Sequence, residues 1–294
     1  MKEETLVIIE KLTIQGCNEW NEDALIASEA MQIFGVLDGA TSLKPFRGPN
    51  QETGGYLVSN LVKRELESLD VTELDAFPLH ELVLRANARL RREMLESGID
   101  VYNKEELWTA GIALVRIHEN YIEYVQAGDC MIAVSYKDGV IRTVSHDQVD
   151  HIDAQTMRMW RDGIHQGIKT CAELRKLVEP TILHNKRTMN TLDGYAAISG
   201  EPELSEYIEY GRINRMQMTD LLIVSDGLFL PRSLDANEPP RDSGIEGLMR
   251  HVQKQNLHNY TDWLLNLEET DPECLKYPRF KKSDDKTGIY IRFE

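Results

Sequence analysis

Three short apolar runs, far apart in the chain, each carry an aspartate at one end, and no other feature constrains the fold as much. They are Phe34-Gly35-Val36-Leu37-Asp38-Gly39-Ala40-Thr41, Leu222-Ile223-Val224-Ser225-Asp226-Gly227-Leu228 and Ser283-Asp284-Asp285-Lys286-Thr287-Gly288-Ile289-Tyr290-Ile291. An ionised carboxylate beside a buried strand costs several kcal/mol unless something positive meets it. Three of them facing one place therefore call for a cation, and hard divalent ions held by oxygen ligands are the natural partner.

The chain has 294 residues, enough to bury a full core, and no Pro/Gly/Ser-rich linker divides it, so a single domain over 1–294 is expected. Its formal charge of −16, from 49 acidic against 33 basic residues, argues against unaided binding of nucleic acid or an anionic membrane. Cys17, Cys130, Cys171 and Cys274 lack C-x-x-C or Cys/His spacing, which argues against a zinc site and a disulfide framework, so they read as reduced, mostly structural thiols. The start Met1-Lys2-Glu3-Glu4-Thr5 is charged, and Leu6-Val7-Ile8-Ile9 is too short for a signal-peptide core or a membrane span, so a cytoplasmic protein is expected.

Strands are predicted over 6–14, 24–27 and 31–37, the third delivering Asp38 at its end. A polar loop with Lys44, Arg47 and Gly48-Pro49 leads to a helix over 52–68. Its Leu57, Val58, Leu61, Val62 and Leu66 form a core-facing stripe. A second helix follows Pro78, with Leu79, Leu82, Val83, Ala86, Leu90 and Met94 on one face. From Thr109 the pattern changes to strands over 111–118, 121–127, 131–136 and 140–144, turning at Glu119-Asn120 and Lys137-Asp138-Gly139, a meander of adjacent antiparallel strands. Helices are predicted over 149–169 and 172–178, irregular chain over 186–210, a strand over 221–225, helices over 244–255 and 260–267, and a last strand over 287–293. Strand groups with helices before and after them give an α+β fold, a four-layer α-β-β-α sandwich of two antiparallel sheets flanked by helices.

With Asn21-Glu22-Asp23-Ala24 near the amino end, the chain presents E-D-A, D-G-x-T, G-D, S-D-G and D-D-x-T in that order. This succession, from Gly16 to Phe293, resembles the protein phosphatase 2C family, the metal-dependent serine/threonine phosphatases. The resemblance implies that Asp38 bridges two Mn²⁺ or Mg²⁺ ions and that Gly39 offers its carbonyl, while Asp226 and Asp284 complete the second ion's site. Glu22 would meet metal through water, with Asp23 and Asp285 in support. Asp129, in Gln126-Ala127-Gly128-Asp129-Cys130, would hold a third ion. It further implies hydrolysis of phosphoserine and phosphothreonine in a phosphorylated protein partner by metal-activated water, with Asp38 and Asp226 at the catalytic centre. A cysteine-based phosphatase would need a thiolate in a Gly-rich anion loop ending in arginine, and none of the four cysteines has that setting.

The chain departs from the family at several places. Members commonly carry an arginine four residues before the glutamate, where it grips phosphate; here that place is Asn18, and Lys44 and Arg47 are the candidate substitutes. Ala40 stands where eukaryotic members often have histidine, and Leu230 where another aspartate often serves the third ion. His146-Asp147 matches the family's acidic-histidine run only loosely. Two other functions stay open at this point: a pseudophosphatase that binds a phosphorylated partner without turnover, and a phosphatase of small phosphate esters.

Overall fold

The alternation of the strands sorts their side chains onto two faces, and those faces build the layers. The computed structural model describes residues 7–40, 44–234 and 244–293, so Leu6 of the first predicted strand and Thr41 of the first aspartate motif lie outside the described residues. The chain runs through β1 (Val7–Ile14), β2 (Asp23–Ser28) and β3 (Ile33–Ala40), then α1 (Gly54–Glu67), α2 (Val71–Ala76) and α3 (Leu79–Glu96). It continues through β4 (Thr109–Ile117), β5 (Tyr121–Ala127), β6 (Met131–Tyr136) and β7 (Ile141–Thr143) to α4 (Asp150–His165), α5 (Cys171–Lys186) and α6 (Leu204–Tyr207). Strands β8 (Glu209–Asn214) and β9 (Met218–Val224), a 3₁₀ turn (Asp226–Leu228), α7 (Gly244–Gln255), α8 (Leu257–Glu269) and β10 (Lys286–Phe293) complete it.

Two five-stranded antiparallel sheets result, ordered β1-β10-β9-β6-β7 and β2-β3-β4-β5-β8. In β3, Phe34 and Val36 turn toward the opposite sheet, where they meet Ile223, Ile289 and Ile291, whereas Ile33 and Leu37 turn outward onto Val58, Val62 and Leu90 of α1 and α3. On the other sheet, Leu222, Val224 and Tyr290 point outward onto Leu248, Val252 and Leu264 of α7 and α8. These four layers are the α-β-β-α sandwich that the sequence predicts. Helix α1 starts where Thr53 Oγ1 accepts from Tyr56 N at 3.2 Å, and its buried stripe is Val58, Leu61, Val62 and Leu66.

The meander departs from expectation. Strands β4 and β5 pair, but the chain then crosses between the sheets at Gly128-Asp129-Cys130, and β6 joins β9 and β7 in the other sheet. The crossing turns on Gly128, whose φ of +79° is open mainly to glycine, and it carries Asp129 to the rim between the sheets. Asp38 is likewise not at a strand end: β3 runs on to Ala40, and Asp38 pairs in register with Asp23 on one side and Gly111 on the other. Helix α5 runs through Pro180 to Lys186, well beyond the predicted stop, because Val178 and Ile182 pack with Trp160 and Met157 of α4 and outweigh one lost backbone bond. The predicted irregular stretch contains α6 and all but four residues of β8, and α2, capped reciprocally by Asp70 and Glu73, also went unpredicted.

One buried ion pair ties α8 to the head of β10. Lys286 is wholly buried, and its Nζ reaches Ser283 Oγ at 3.0 Å, the Asp284 carbonyl at 2.9 Å and Glu268 Oε2 of α8 at 3.0 Å. Removing one partner strands the other charge in the interior. Lys286→Met should therefore cost about 3–5 kcal/mol in denaturant unfolding, and Lys286→Met with Glu268→Leu should recover most of that loss. A loss below about 1 kcal/mol in the single variant would show that water reaches this pair.

Candidate active site

The aspartates gather at one open end of the seam between the sheets, and strand register puts them there. Asp38 follows Phe34 and Val36 on the inward face of β3, and Asp23 lies directly opposite it on β2. Asp23 Oδ2 accepts from Ser225 Oγ at 2.8 Å, and that oxygen in turn accepts from Thr287 N at 3.0 Å, so one hydroxyl links β2 to β9 and β10. Asp285 takes the Gly16 and Glu22 amides, each at 2.7 Å, and pins the loop between β1 and β2 against the head of β10. Gly39 N donates to the Glu22 carbonyl at 3.1 Å, and Asn18 Nδ2 donates to Glu22 Oε2 at 3.3 Å. Two glycines allow these approaches: a Cβ on Gly39 would fall 2.3 Å from the Gly55 carbonyl oxygen, and one on Gly227 only 1.9 Å from that of Asp285.

Burial is the chief reason that Asp23, Asp38 and Asp129 hold their protons well above the ordinary carboxylate range. For Asp38 the charges of Asp226, Asp23 and Asp129 add to it, and for Asp129 those of Asp226, Asp147 and Asp153. Asp226 is raised too, by burial and then by Asp284, although its hydrogen bond with Asp38 works the other way. Asp23 Oδ1 is buried with no hydrogen-bond partner. Ligand atoms of Asp38, Asp129 and Cys130 lie within 4.8 Å of one another. A set of converging carboxylates with an orphaned oxygen is the donor chemistry of a hard divalent cation, and Asp38, Gly39, Asp226, Asp284 and Glu22 fit that role.

The residues to which the family resemblance gives a part at the metal site gather here: Asp38, Gly39, Asp129, Asp226 and Asp284 line one cavity of about 240 Å³, and Glu22, Asp23 and Asp285 are buried. Lys44 and Arg47 do not line it. Lys44 is paired with Glu106 at 2.8 Å and Arg47 with Glu19 at 3.0 Å, both exposed, because the loop that carries them turns toward surface carboxylates. Asp147 caps α4 through the Val149 and Asp150 amides at 3.0 and 2.9 Å. With Asp129, Asp153, Asp226 and Leu230 it lines an adjoining cavity of about 500 Å³.

Asp153 and Lys281 escape the sequence reading. Asp153 sits one turn into α4, where an acid ordinarily serves the helix dipole, and Lys281 belongs to a run, Lys281-Lys282-Ser283-Asp284-Asp285, that reads as a solvated loop. In the fold, Lys281 Nζ lies 2.6 Å from Asp284 Oδ1. Burial opposes its charge, but Asp284, Asp38 and Asp226 outweigh burial and keep the ammonium above the ordinary lysine range.

Asp153 carries a pH signature. Burial first, then the charges of Asp226, Asp147 and Asp150, push its carboxyl up to about 7 from the ordinary 3.8. The folded chain thus holds this proton more tightly than the unfolded chain does. The contribution of Asp153 to the stability of the metal-free protein should be full below about pH 4, fade as pH rises toward 7, and be lost above. Asp153→Asn should raise the melting temperature by a few degrees at pH 8 and leave it unchanged at pH 4. Equal shifts at both pH values would show that Asp153 titrates like a solvent-exposed acid.

The protein phosphatase 2C family model matches residues 16–266. No curated protein matches the chain. Among solved structures, the serine/threonine phosphatase PstP/Ppp of Mycobacterium tuberculosis is similar at a TM-score of 0.58 and 17% identity, over 98% of this chain and 99% of that one. Stp1, a serine/threonine phosphatase from Staphylococcus aureus, gives 0.56 and 16%, over 100% and 98%. The catalytic domain of the serine/threonine protein phosphatase PstP in complex with two manganese ions gives 0.55 and 15%, over 98% of each chain. At these identities the structures speak for the fold, whereas the family model spans most of the sequence and takes in the motifs at Glu22, Asp38, Asp129 and Asp226, so this chain belongs to the protein phosphatase 2C family.

Proposed function

We propose that this chain is a manganese- or magnesium-dependent phosphatase that hydrolyses phosphoserine and phosphothreonine in proteins. The observation that carries the reading is the convergence of Asp38, Asp226 and Asp284 on one cavity at the end of the intersheet seam, with Asp23 Oδ1 left unpartnered behind them. Asp38 would bridge two ions, Gly39 would add its carbonyl, Asp226 and Asp284 would serve the second ion, and Glu22 would act through water. The two manganese ions of the PstP catalytic domain support that number here. Asp129, with Asp153 and Asp147 nearby, is the place for a third. When bound, such ions supply Lewis acidity, acidifying a water for in-line attack and offsetting charge on the phosphoryl group.

The chain's own residues do the rest. Asp285 fixes the Gly16 and Glu22 amides, Ser225 and Thr287 fix Asp23, and Ile152, Ile182 and Phe280 give the cavity an apolar wall. A single catalytic domain over 1–294 accords with motifs drawn from both sheets. A cytosolic location accords with four free thiols, and among the described residues no helix is long and apolar enough to cross a membrane. A phosphorylated protein is the partner that the family supports, and the charge of −16 weighs against nucleic acid.

One observation favours a second reading. The Asn18 amide is spent on Glu22, so the family's guanidinium has no replacement at that position, as a pseudophosphatase would tolerate. Manganese-dependent hydrolysis of para-nitrophenyl phosphate separates the enzyme from the pseudophosphatase, and a phosphopeptide panel then separates a protein phosphatase from one for small esters.

Asp38→Asn should lower turnover at saturating manganese by at least a hundredfold while leaving the melting curve of the metal-free protein in place or slightly raised, because a charge is lost and little packing changes. Most of the turnover surviving in Asp38→Asn would refute the bridging role. Asp226→Ala and Asp284→Ala should each weaken manganese binding in calorimetry, and the double variant should be hardly worse than either, since ligands of one ion act as a unit. Fully additive losses would place the two acids at separate ions.

A further inference from the structure

The place that the family gives to a phosphate-gripping arginine is held by Asn18, and the nearby loop cations Lys44 and Arg47 are engaged with surface carboxylates. Yet a phosphoryl group brings negative charge into a cavity already lined by acids, so a positive side chain belongs there. Among the described residues, three cations line the cavity that holds Asp38, Gly39, Asp129, Asp226 and Asp284: Arg175, Lys186 and Lys281. Lys186 is buried, and its Nζ donates to the Leu107 carbonyl at 3.2 Å, a structural duty. Arg175 lies over the Phe280 ring, 5.9 Å from its centroid, on the outer helix α5. Lys281 is the one bonded to a member of the acid cluster, through Asp284 Oδ1 at 2.6 Å, and this is the hydrogen bond of its Nζ among the described residues. An ammonium has three donors, so two remain.

The backbone that presents Lys281 is braced from both sides. Arg279 bonds the Asp271 carboxylate at 3.0 Å, the Asp271 carbonyl at 2.6 Å and the Lys282 carbonyl at 2.9 Å, and Asp271 in turn accepts the amides of Leu275, Lys276 and Tyr277 at 2.9 to 3.1 Å. Cys274 Sγ lies 3.4 Å from the Lys281 carbonyl itself, and Phe280 packs edge-on to Trp160 at 5.8 Å. Position 281 is therefore held in place, and its side chain lines both cavities with its Nζ on Asp284.

We propose that Lys281 is the phosphate-binding cation of this site, meeting the substrate's phosphate oxygens in place of the arginine that Asn18 replaces. The assignment rests on the metal-dependent phosphatase reading. Once divalent ions share the charge of Asp284, Asp226 and Asp38, the carboxylates hold the ammonium less strongly, and an incoming phosphate dianion offers it a better partner. A lysine grips as a point charge where arginine would grip with a fork, so capture is looser but tolerant of how the phosphoryl group is presented.

The test measures binding of inorganic phosphate to the manganese-loaded protein by calorimetry and counts bound manganese by the paramagnetic resonance of the free ion, for wild type, Lys281→Met, Lys281→Arg and Arg47→Ala. Lys281→Met should weaken phosphate by about tenfold or more, the worth of one charge-assisted hydrogen bond, with manganese number and affinity within twofold of wild type. Lys281→Arg should keep most of the affinity, and Arg47→Ala all of it. The assignment fails if Lys281→Met binds phosphate like wild type, if its phosphate loss is matched by a change in manganese affinity, or if the loss appears in Arg47→Ala instead. Wild type binding no manganese would be a different failure, removing the metal reading and the role of Lys281 with it.

Discussion

Mutual repulsion among buried carboxylates governs this molecule. Asp23 and Asp38 face each other across paired strands, an arrangement that destabilises a sheet when both are charged, and Asp226, Asp284 and Asp129 crowd the same rim. Nothing in the hydrophobic core requires this. The intersheet face of β3 could end on an apolar residue after Phe34 and Val36 and pack at least as well. The fold instead commits hydrogen bonds from Ser225, Thr287 and the Gly16 and Glu22 amides to holding the acids in position, a cost in stability that a functional site explains.

How the acids converge follows from the topology. Asp38 and Asp23 come from one sheet, Asp226 and Asp284 from the chain just beyond β9 and just before β10 of the other, and Asp129 from the segment that crosses between them. The cavity thus spans the junction of two rigid layers, and its shape depends on their separation. The Ser225 hydroxyl is the bridge at that junction, accepting from one sheet and donating to the other. Close approach is secured where side chains are absent, at Gly39 against Gly55 and Gly227 against Asp285.

Much of this was legible in the sequence, for identifiable reasons. Asp38, Asp226 and Asp284 stand out because each interrupts or borders a run of residues that sit 0% to 9% exposed, a contrast that period-two strands make visible. Both sheets and the outer helices followed from the same contrast. Strand β8 did not, because an edge strand buries little: in Glu-Tyr-Gly-Arg-Ile-Asn only Ile213 is buried, and Gly211 is spared for the Tyr124 ring across the pair. The crossing after β5 was hidden because a hairpin and a change of sheet can use the same Gly-Asp punctuation. Asp153 and Lys281 were hidden because their meaning lies in tertiary neighbours, the one inside an ordinary helical first turn and the other inside a basic-acidic run.

Two lysines five residues apart show how the same side chain is put to different use by its surroundings. Lys286 is wholly enclosed, with Ser283, the Asp284 carbonyl and Glu268 around its ammonium, so its donors are consumed by the fold and its charge is matched within the protein. Lys281 opens onto a cavity and has one carboxylate in contact, that of Asp284 in the acid cluster. Charge matching in the first case is complete without any ligand. In the second it is shared with a cluster in which acids outnumber the basic groups beside them, so the charge balance there is left to whatever the cavity takes up.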